Sequence, residues 1–171
     1  AMCDAIEKAA GFRPGIKWTN DLVSDRRKLG GILTELRLDK NGNVDYAIIG
    51  IGINCCQREA DFPEEIRTVA GSLSMVTGAP VDRARLAAAE LEALHRMSAD
   101  LLPRKAQIMT RYRRDCITLG QEVSLVRGEE VRHGLAQDID EDGALVVRFP
   151  DGHTEAVNSG EVSVRGMYGY V

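Results

Sequence analysis

A chain of 171 residues, 44% hydrophobic and 28% charged, can bury a sizeable core and allows one domain or one and a half. A net charge of −4 and a pI near 5.4 argue against a general nucleic-acid binder, which would present a net basic surface. No apolar run approaches the roughly 18 residues of a membrane span and no charged-then-apolar leader is present, so no membrane association is expected and the protein reads as soluble and cytoplasmic.

Met2, Ile6, Ala9 and Ala10 recur at helical spacing and Gly11 follows as a stop, so the chain opens in a helix. Pro14-Gly15 turns into Ile16-Lys17-Trp18, a short strand, and Thr19-Asn20-Asp21 is loop chemistry. Arg26-Arg27-Lys28 then forms a basic tip set directly against the apolar, glycine-softened Leu29-Gly30-Gly31-Ile32-Leu33. Ile32, Leu33 and Leu36 lead to Asn41-Gly42, the dipeptide preferred in two-residue hairpin turns, and Tyr46 to Ile51 returns as an apolar strand. Pro63 with Glu64 and Glu65 predicts a helix through about Val76, closed by Gly78. Asp82 caps a second helix whose Ala87, Leu91, Leu94 and Leu101 fall on one stripe toward a core.

After Cys116 the pattern changes. Apolar stretches 123–126, 131–139, 144–149 and 162–164 are separated by Gly128, Asp142-Gly143, Asp151-Gly152 and Ser159-Gly160, which predicts a small antiparallel unit of SH3-like barrel type. Residues 116–171 hold four arginines against ten carboxylates, a net of −6, which leaves +2 on residues 1–115. Two segments with different jobs are expected, in an α+β fold: a mixed β-sheet with packed helices over 1–115, and the small barrel over 116–171.

Four cysteines, at 3, 55, 56 and 116, include no Cys-x-x-Cys, and the histidines at 95, 133 and 153 lie far from them, so neither a metal site nor a disulfide framework is expected. Cys55 and Cys56 read as packing residues, Trp18 as core, and none of the histidines as a catalyst. Gly50-Ile51-Gly52-Ile53-Asn54 follows a strand, but a dinucleotide fingerprint needs a third glycine where Cys55 stands, and no P-loop motif is present. What remains is two adjacent strands with glycines at 30, 31, 50 and 52. Glycine inside a strand often marks a close approach of another group to the backbone. With Lys28 at the entry of one strand and Asn54 at the exit of the other, they describe a groove for a flat ligand, its cation suited to a phosphate and its amide to a base.

Three blocks carry a family resemblance. Lys17-Trp18-Thr19-Asn20-Asp21, Arg27-Lys28-Leu29-x-Gly31-Ile32-Leu33-x-Glu35 and Ile49-Gly50-Ile51-Gly52-Ile53-Asn54 resemble, in order and spacing, the blocks of biotin protein ligase, with Thr19 where the family has proline. Leu119-Gly120-Gln121-x-Val123 and Asp140-x-x-Gly143-Ala144-Leu145 are similar to that family's small C-terminal domain. The resemblance implies an enzyme that makes biotinyl-5'-AMP from biotin and ATP with Mg2+, then transfers biotin to a lysine of the biotin carboxyl carrier protein of acetyl-CoA carboxylase. By matching positions, Lys28 would be the catalytic cation and Asp21 would orient the incoming amine. Asn54 would meet the adenine, and Gly31, Leu33, Gly50 and Gly52 would line the biotin and adenylate site.

The family's Gly-Arg-Gly-Arg type loop has no counterpart here, since no Gly-Arg dipeptide occurs among the 171 residues. Residues 1–115 are therefore expected to be the C-terminal portion of a ligase catalytic domain, inactive alone, and no repressor function is assigned. A catalytically silent binding module and a lipoate-type ligase stay open as alternatives, and so does homodimerisation.

Overall fold

In the computed structural model, which describes residues 1–127, 129–158 and 163–166, α1 (Met2–Ala10) ends where Gly11 takes a left-handed backbone and donates its N–H to the Glu7 carbonyl. Only a residue without a Cβ adopts that conformation freely, which is why the helix stops there. Four strands follow: β1 (Gly15–Lys17), β2 (Asp21–Ser24), β3 (Arg27–Leu38) and β4 (Val44–Ile53). They lie side by side in chain order. Every pairing among them is antiparallel, whereas a mixed sheet was expected. Parallel geometry is confined to two single bridges, Ile16 with Cys116 and Lys28 with Ala70.

The tight two-residue turn occurs elsewhere than expected. It is Asp25-Arg26, at φ 47° and 64°, between β2 and β3, the left-handed pair that suits the twist of a hairpin. The Asn41-Gly42 hairpin instead closes through residues 39–43. There Asp39 donates its N–H to the Asn43 carbonyl, and its carboxylate accepts from the N–H groups of Asn41 and Asn43. That side chain stabilises the longer loop.

The helix expected from Pro63 to Val76 is broken into a single 3-10 turn, Glu64–Ile66, and a short α2 (Leu73–Thr77) capped by the Ser72 hydroxyl. The cause is competition for backbone groups. Val69 accepts from the Lys28 N–H at 2.7 Å and Gly71 donates to the Lys28 carbonyl at 2.9 Å, so this stretch runs beside β3 instead of coiling.

Asp82 does cap α3 (Arg83–Asp100), accepting from Ala84 and Arg85. The buried face, however, is Leu86, Ala89 and Ala93, while Ala87 is exposed and Leu91 is 70% exposed. The expected stripe is rotated by about one residue. Ala89 and Ala93 cluster with Ala5 of α1, and such short side chains let the two helix backbones approach closely. A leucine stripe would hold them apart.

α4 (Lys105–Asp115) leads into a second antiparallel sheet of β5 (Glu122–Arg127), β6 (Glu130–Ile139), β7 (Leu145–Arg148), β8 (Thr154–Val157) and β9 (Ser163–Gly166). Its order is β8-β7-β6-β5-β9. Among the described residues β8 and β9 do not pair, so no barrel closure is seen there, and a five-stranded antiparallel unit stands where the small SH3-like one was expected. β8 escaped notice in the sequence because Thr-Glu-Ala-Val is barely apolar. The Gly128 and Ser159-Gly160 turns and residue 162 lie outside the described residues. Trp18 is 6% exposed and packs into this sheet's core with Val123, Leu125, Ala136, Ile139 and Leu145. Cys56 is exposed, against its expected packing role. No helix among the described residues is long and apolar enough to cross a membrane.

Arg13 ties the N-terminal helix to the end of α4. Its guanidinium bonds Asp4 at 2.9 Å and Glu7 at 2.7 Å, and donates twice to Asp115. Burial pushes the Asp115 carboxyl up, but hydrogen bonds from Arg114 and Arg13 more than offset it and hold it at about 2. A carboxyl whose folded value lies below its unfolded one stabilises the fold above the unfolded value, and that stabilisation fades as pH falls toward the folded value. Asp115→Asn should therefore cost about 2 kcal/mol near neutrality. It should also flatten the decline in stability between about pH 4 and pH 2, as read from urea midpoints across that range.

Candidate functional site

The basic tip seen in the sequence divides three ways. Arg26 sits exposed in the turn itself. Arg27 reaches Glu59 at 3.3 Å and the Ala70 carbonyl. Lys28 has left the tip and lies within β3, opposite Val23 of β2.

An irregularity in the ladder decides where Lys28 points. Leu22 pairs with Gly30 but Val23 pairs with Lys28, so β3 carries one extra residue, Leu29. In a regular strand Lys28 and Gly31 would face opposite ways. A bulge resets the alternation and re-aims the side chain. Leu29 is fully buried, while the Lys28 ammonium lies over Gly31, 3.3 Å from where a Cβ on that glycine would stand. Asp21, directly across from Gly31, brings its Oδ1 to 3.1 Å from the same point. The result is a Lys28 Nζ to Asp21 Oδ1 ion pair of 2.6 Å, its side chains 36% and 17% exposed. Gly31 is needed because the pair occupies the space its side chain would fill.

Gly52 pairs with Gly31, and Gly50 with Leu33. Glycines 31, 50 and 52 therefore lie on one face of the sheet and make a flat floor, with nothing within 4 Å above Gly52. Leu33 stands beside that floor, 62% exposed. Gly30 plays a different part: a Cβ there would come within 2.4 Å of the Gly52 carbonyl oxygen, so its absence lets β3 and β4 meet.

A cavity of about 850 Å³ opens over this end of the sheet, lined by Lys28, Gly30, Gly31, Gly52, Ile53 and Asn54 on one side. The facing wall comes from two 3-10 turns, Glu59–Asp61 and Glu64–Ile66, and the stretch beside β3, including Gln57, Phe62, Ile66, Val69 and Ala70. Asn54 braces that wall: its side-chain nitrogen donates to the Gly71 carbonyl at 2.9 Å, its N–H to the Leu29 carbonyl at 2.7 Å, and its carbonyl accepts from Leu73. Of the expected site residues, Lys28, Gly31, Gly52 and Asn54 line the cavity and Asp21 joins through its ion pair. Leu33 and Gly50 fall just outside it, farther along the same face.

Sequence reading passed over Lys17, which pairs across from Asp21 in the β1–β2 ladder. Burial holds its ammonium below the ordinary lysine value, Lys28 adds to the depression and Asp21 opposes it. Two cations thus share one carboxylate, an arrangement able to receive further negative charge, such as phosphate. The only sequence signal was Lys17's place at the head of the Lys-Trp-Thr-Asn-Asp block. The Thr68–Gly71 wall left no signal, because it is made by pairing with a strand forty residues earlier. Among the described residues, no group of three or more His, Cys, Asp or Glu is placed to hold a metal ion.

The Biotin/lipoate A/B protein ligase family profile matches residues 1–54, and that of the Biotin protein ligase C terminal domain matches residues 118–165. The chain is similar to the bifunctional ligase/repressor BirA of Bacillus spizizenii, at 32% identity over 89% of this chain and 47% of that one. It is also similar to the biotin--[acetyl-CoA-carboxylase] ligase of Paracoccus denitrificans, at 31% identity over 97% of this chain and 70% of the relative. Among solved structures, the biotin protein ligase of Aquifex aeolicus in complex with biotin and ATP superposes with a TM-score of 0.81, at 29% identity, over 96% of this chain and 67% of that one. The chain spans about half the length of several relatives it matches, including the Bacillus spizizenii and Escherichia coli proteins.

The two central glycines should respond oppositely to alanine. Gly30→Ala sets a methyl against a backbone carbonyl that cannot retreat, and should cost about 3 kcal/mol. Gly52→Ala projects into open space over the floor and should shift stability by less than about 0.5 kcal/mol. Urea unfolding of the two variants checks this, and equal losses would contradict the geometry.

Proposed function

Because the chain belongs to the biotin protein ligase family, we propose that it carries part of the adenylation and transfer machinery of an enzyme that activates biotin with ATP. That enzyme passes the biotin to a lysine of the biotin carboxyl carrier protein of acetyl-CoA carboxylase. In this reading residues 1–115 are part of the catalytic domain and 116–171 a small C-terminal domain, and the protein works in the cytoplasm. The observation that carries the reading is the Lys28–Asp21 pair held at 2.6 Å over a glycine floor. Support for the ligands comes from the Aquifex aeolicus relative, a biotin protein ligase in complex with biotin and ATP.

In the first step a biotin carboxylate oxygen bonds to the α-phosphorus of ATP as the bond to the β-phosphate bridge breaks, releasing pyrophosphate. Both reactants are anions, so charge gathers on the phosphoryl oxygens. Lys28 offsets it from a position fixed before the ligand arrives, and Lys17 lies close enough to strengthen the local field. Mg2+ would enter bound to the nucleotide and supply further charge neutralisation there. The bare floor at Gly50 and Gly52, beside Gly31 and the ion pair that covers it, lets planar groups lie against the backbone, with Leu33 as an apolar flank for the biotin chain. Asn54, its nitrogen committed to the wall, leaves its side-chain oxygen for the adenine amino group.

In the second step the acceptor ε-amine attacks the acyl carbon of biotinyl-5'-AMP. An amide bond forms, the bond to the phosphate oxygen breaks, and AMP leaves. The amine must be neutral and aimed, and Asp21 is the carboxylate beside it that can accept its hydrogen.

One profile match covers biotin and lipoate ligases alike, so the acyl group needs its own test. Biotinyl-adenylate and lipoyl-adenylate analogues should be compared by thermal shift: the biotin compound is expected to stabilise the protein more, and the reverse order would assign it to the lipoate branch. In the enzyme, Lys28→Ala should lower adenylate formation by about two to three orders of magnitude, the usual effect of deleting one preorganised charge-stabilising group. Asp21→Asn should damage transfer more than adenylation. Single-turnover assays of the two half-reactions decide it, and equal damage to both would remove Asp21 from the transfer step.

A further inference from the structure

Two sequence blocks that lie far apart meet in the structure, and the contact bears on the site. The indole N–H of Trp18 donates to the Gly143 carbonyl at 2.9 Å, across 125 residues. The Trp18 N–H donates to the hydroxyl of Thr118 at 2.9 Å, and the Tyr112 hydroxyl donates to the Thr19 carbonyl at 2.6 Å. Residues 18 and 19 are thus held by α4 and by the second sheet. Asn20 is held from the other side, its carbonyl accepting from Ile32 of β3 at 3.0 Å. Asp21 is the next residue.

The second sheet's contact is made from a turn closed by its own side-chain bonds. Asp140 accepts from the N–H groups of Asp142 and Ala144, both at 2.9 Å, and so closes the turn between β6 and β7. Gly143 takes a positive φ of 91° there. Lys105 bonds Asp142 at 2.7 Å, which joins the start of α4 to the same turn, and Tyr112 lies two helical turns farther along α4. Burial pushes the Tyr112 hydroxyl above the ordinary phenol value, so it remains a donor at physiological pH. Turn and helix therefore hold the Trp18–Thr19 backbone as one piece.

We propose that the second sheet and α4 are positioning elements of the site: through Gly143 and Tyr112 they fix the Trp18–Asn20 turn, and that turn sets the direction of the Asp21 carboxylate. Trp18 and Tyr112 touch no reacting atom and act through Asp21. This rests on the proposed ligase reading, in which Asp21 serves the transfer step. It assigns a reason to the tryptophan of the Lys-Trp-Thr-Asn-Asp block, and makes residues 116–158 part of the machinery that aims the acceptor amine.

The test places Tyr112→Phe and Trp18→Phe in the complete ligase, each of which removes a donor while keeping an aromatic ring. Biotin transfer from preformed biotinyl-5'-AMP should fall about tenfold in rate at saturating acceptor, since small misplacements of a reacting group are expensive, while adenylate formation stays within about twofold. In an Asp21→Asn background, Tyr112→Phe should bring no further loss of transfer, because the group it aims is already gone. Equal loss in both half-reactions, or an additive loss in the Asp21→Asn background, would reduce the contact to plain packing and overturn the proposal. A second measurement needs no turnover: the chemical shift of the Asp21 carboxyl carbon, read by NMR at neutral pH, should move in both variants, and an unchanged shift would also overturn it. A complete parent ligase that makes no adenylate would count against the ligase reading, while the Asp21 chemical shift would still decide the positioning role.

Discussion

The site hangs on one extra residue in β3. Leu29 interrupts the ladder with β2, and through that interruption Lys28 comes to share a face with Gly31 and Asp21 while Leu29 itself goes into the core. A strand without the bulge would bury an ammonium among Ile32, Ile51 and Ile53, where it would have to be neutral or find a partner. The bulge solves a packing problem and an electrostatic problem together: it supplies the core with a leucine and the open face with a cation.

Everything near that cation is arranged around close backbone approach. Gly30 lets β3 meet β4, Gly31 makes room for the ion pair, and Gly52 leaves the floor bare. The wall opposite is built from main-chain bonds to Lys28 and from the Asn54 amide. Fixed backbone groups of this kind need little rearrangement when a ligand enters, which is the physical meaning of preorganisation. The local charge follows the same logic, because Asp21 sits between Lys17 and Lys28 and keeps two cations together that would otherwise repel.

The two sheets are less separate than their composition suggests. The net charge changes sign between residues 1–115 and 116–171, yet Trp18 from the first segment is part of the second sheet's core. Arg13 joins α1 to the end of α4 through Asp4, Glu7 and Asp115. Trp18 therefore links the two segments from the first eighteen residues, and Lys105 of α4 adds a second link to Asp142, while Arg13 braces the first segment against the end of α4.

Local chemistry was legible in the sequence: the helix stop at Gly11, the cap at Asp82, the long hairpin, the open face marked by paired glycines, and the blocks resembling a biotin protein ligase. These depend on backbone freedom, capping and alternation, which a few neighbouring residues determine. Where the sequence misled, a distant partner had intervened. The helix expected from Pro63 broke because Lys28 takes the hydrogen bonds of Val69 and Gly71. The face of α3 rotated because Ala5 offered a closer contact to Ala89 and Ala93 than leucines would allow. Asn41-Gly42 widened because Asp39 reached back across the loop. The direction of Lys28, the wall beside it and the seat of Trp18 were decided only in the folded chain, because register, bulge and burial are set between segments and leave no mark within any one of them.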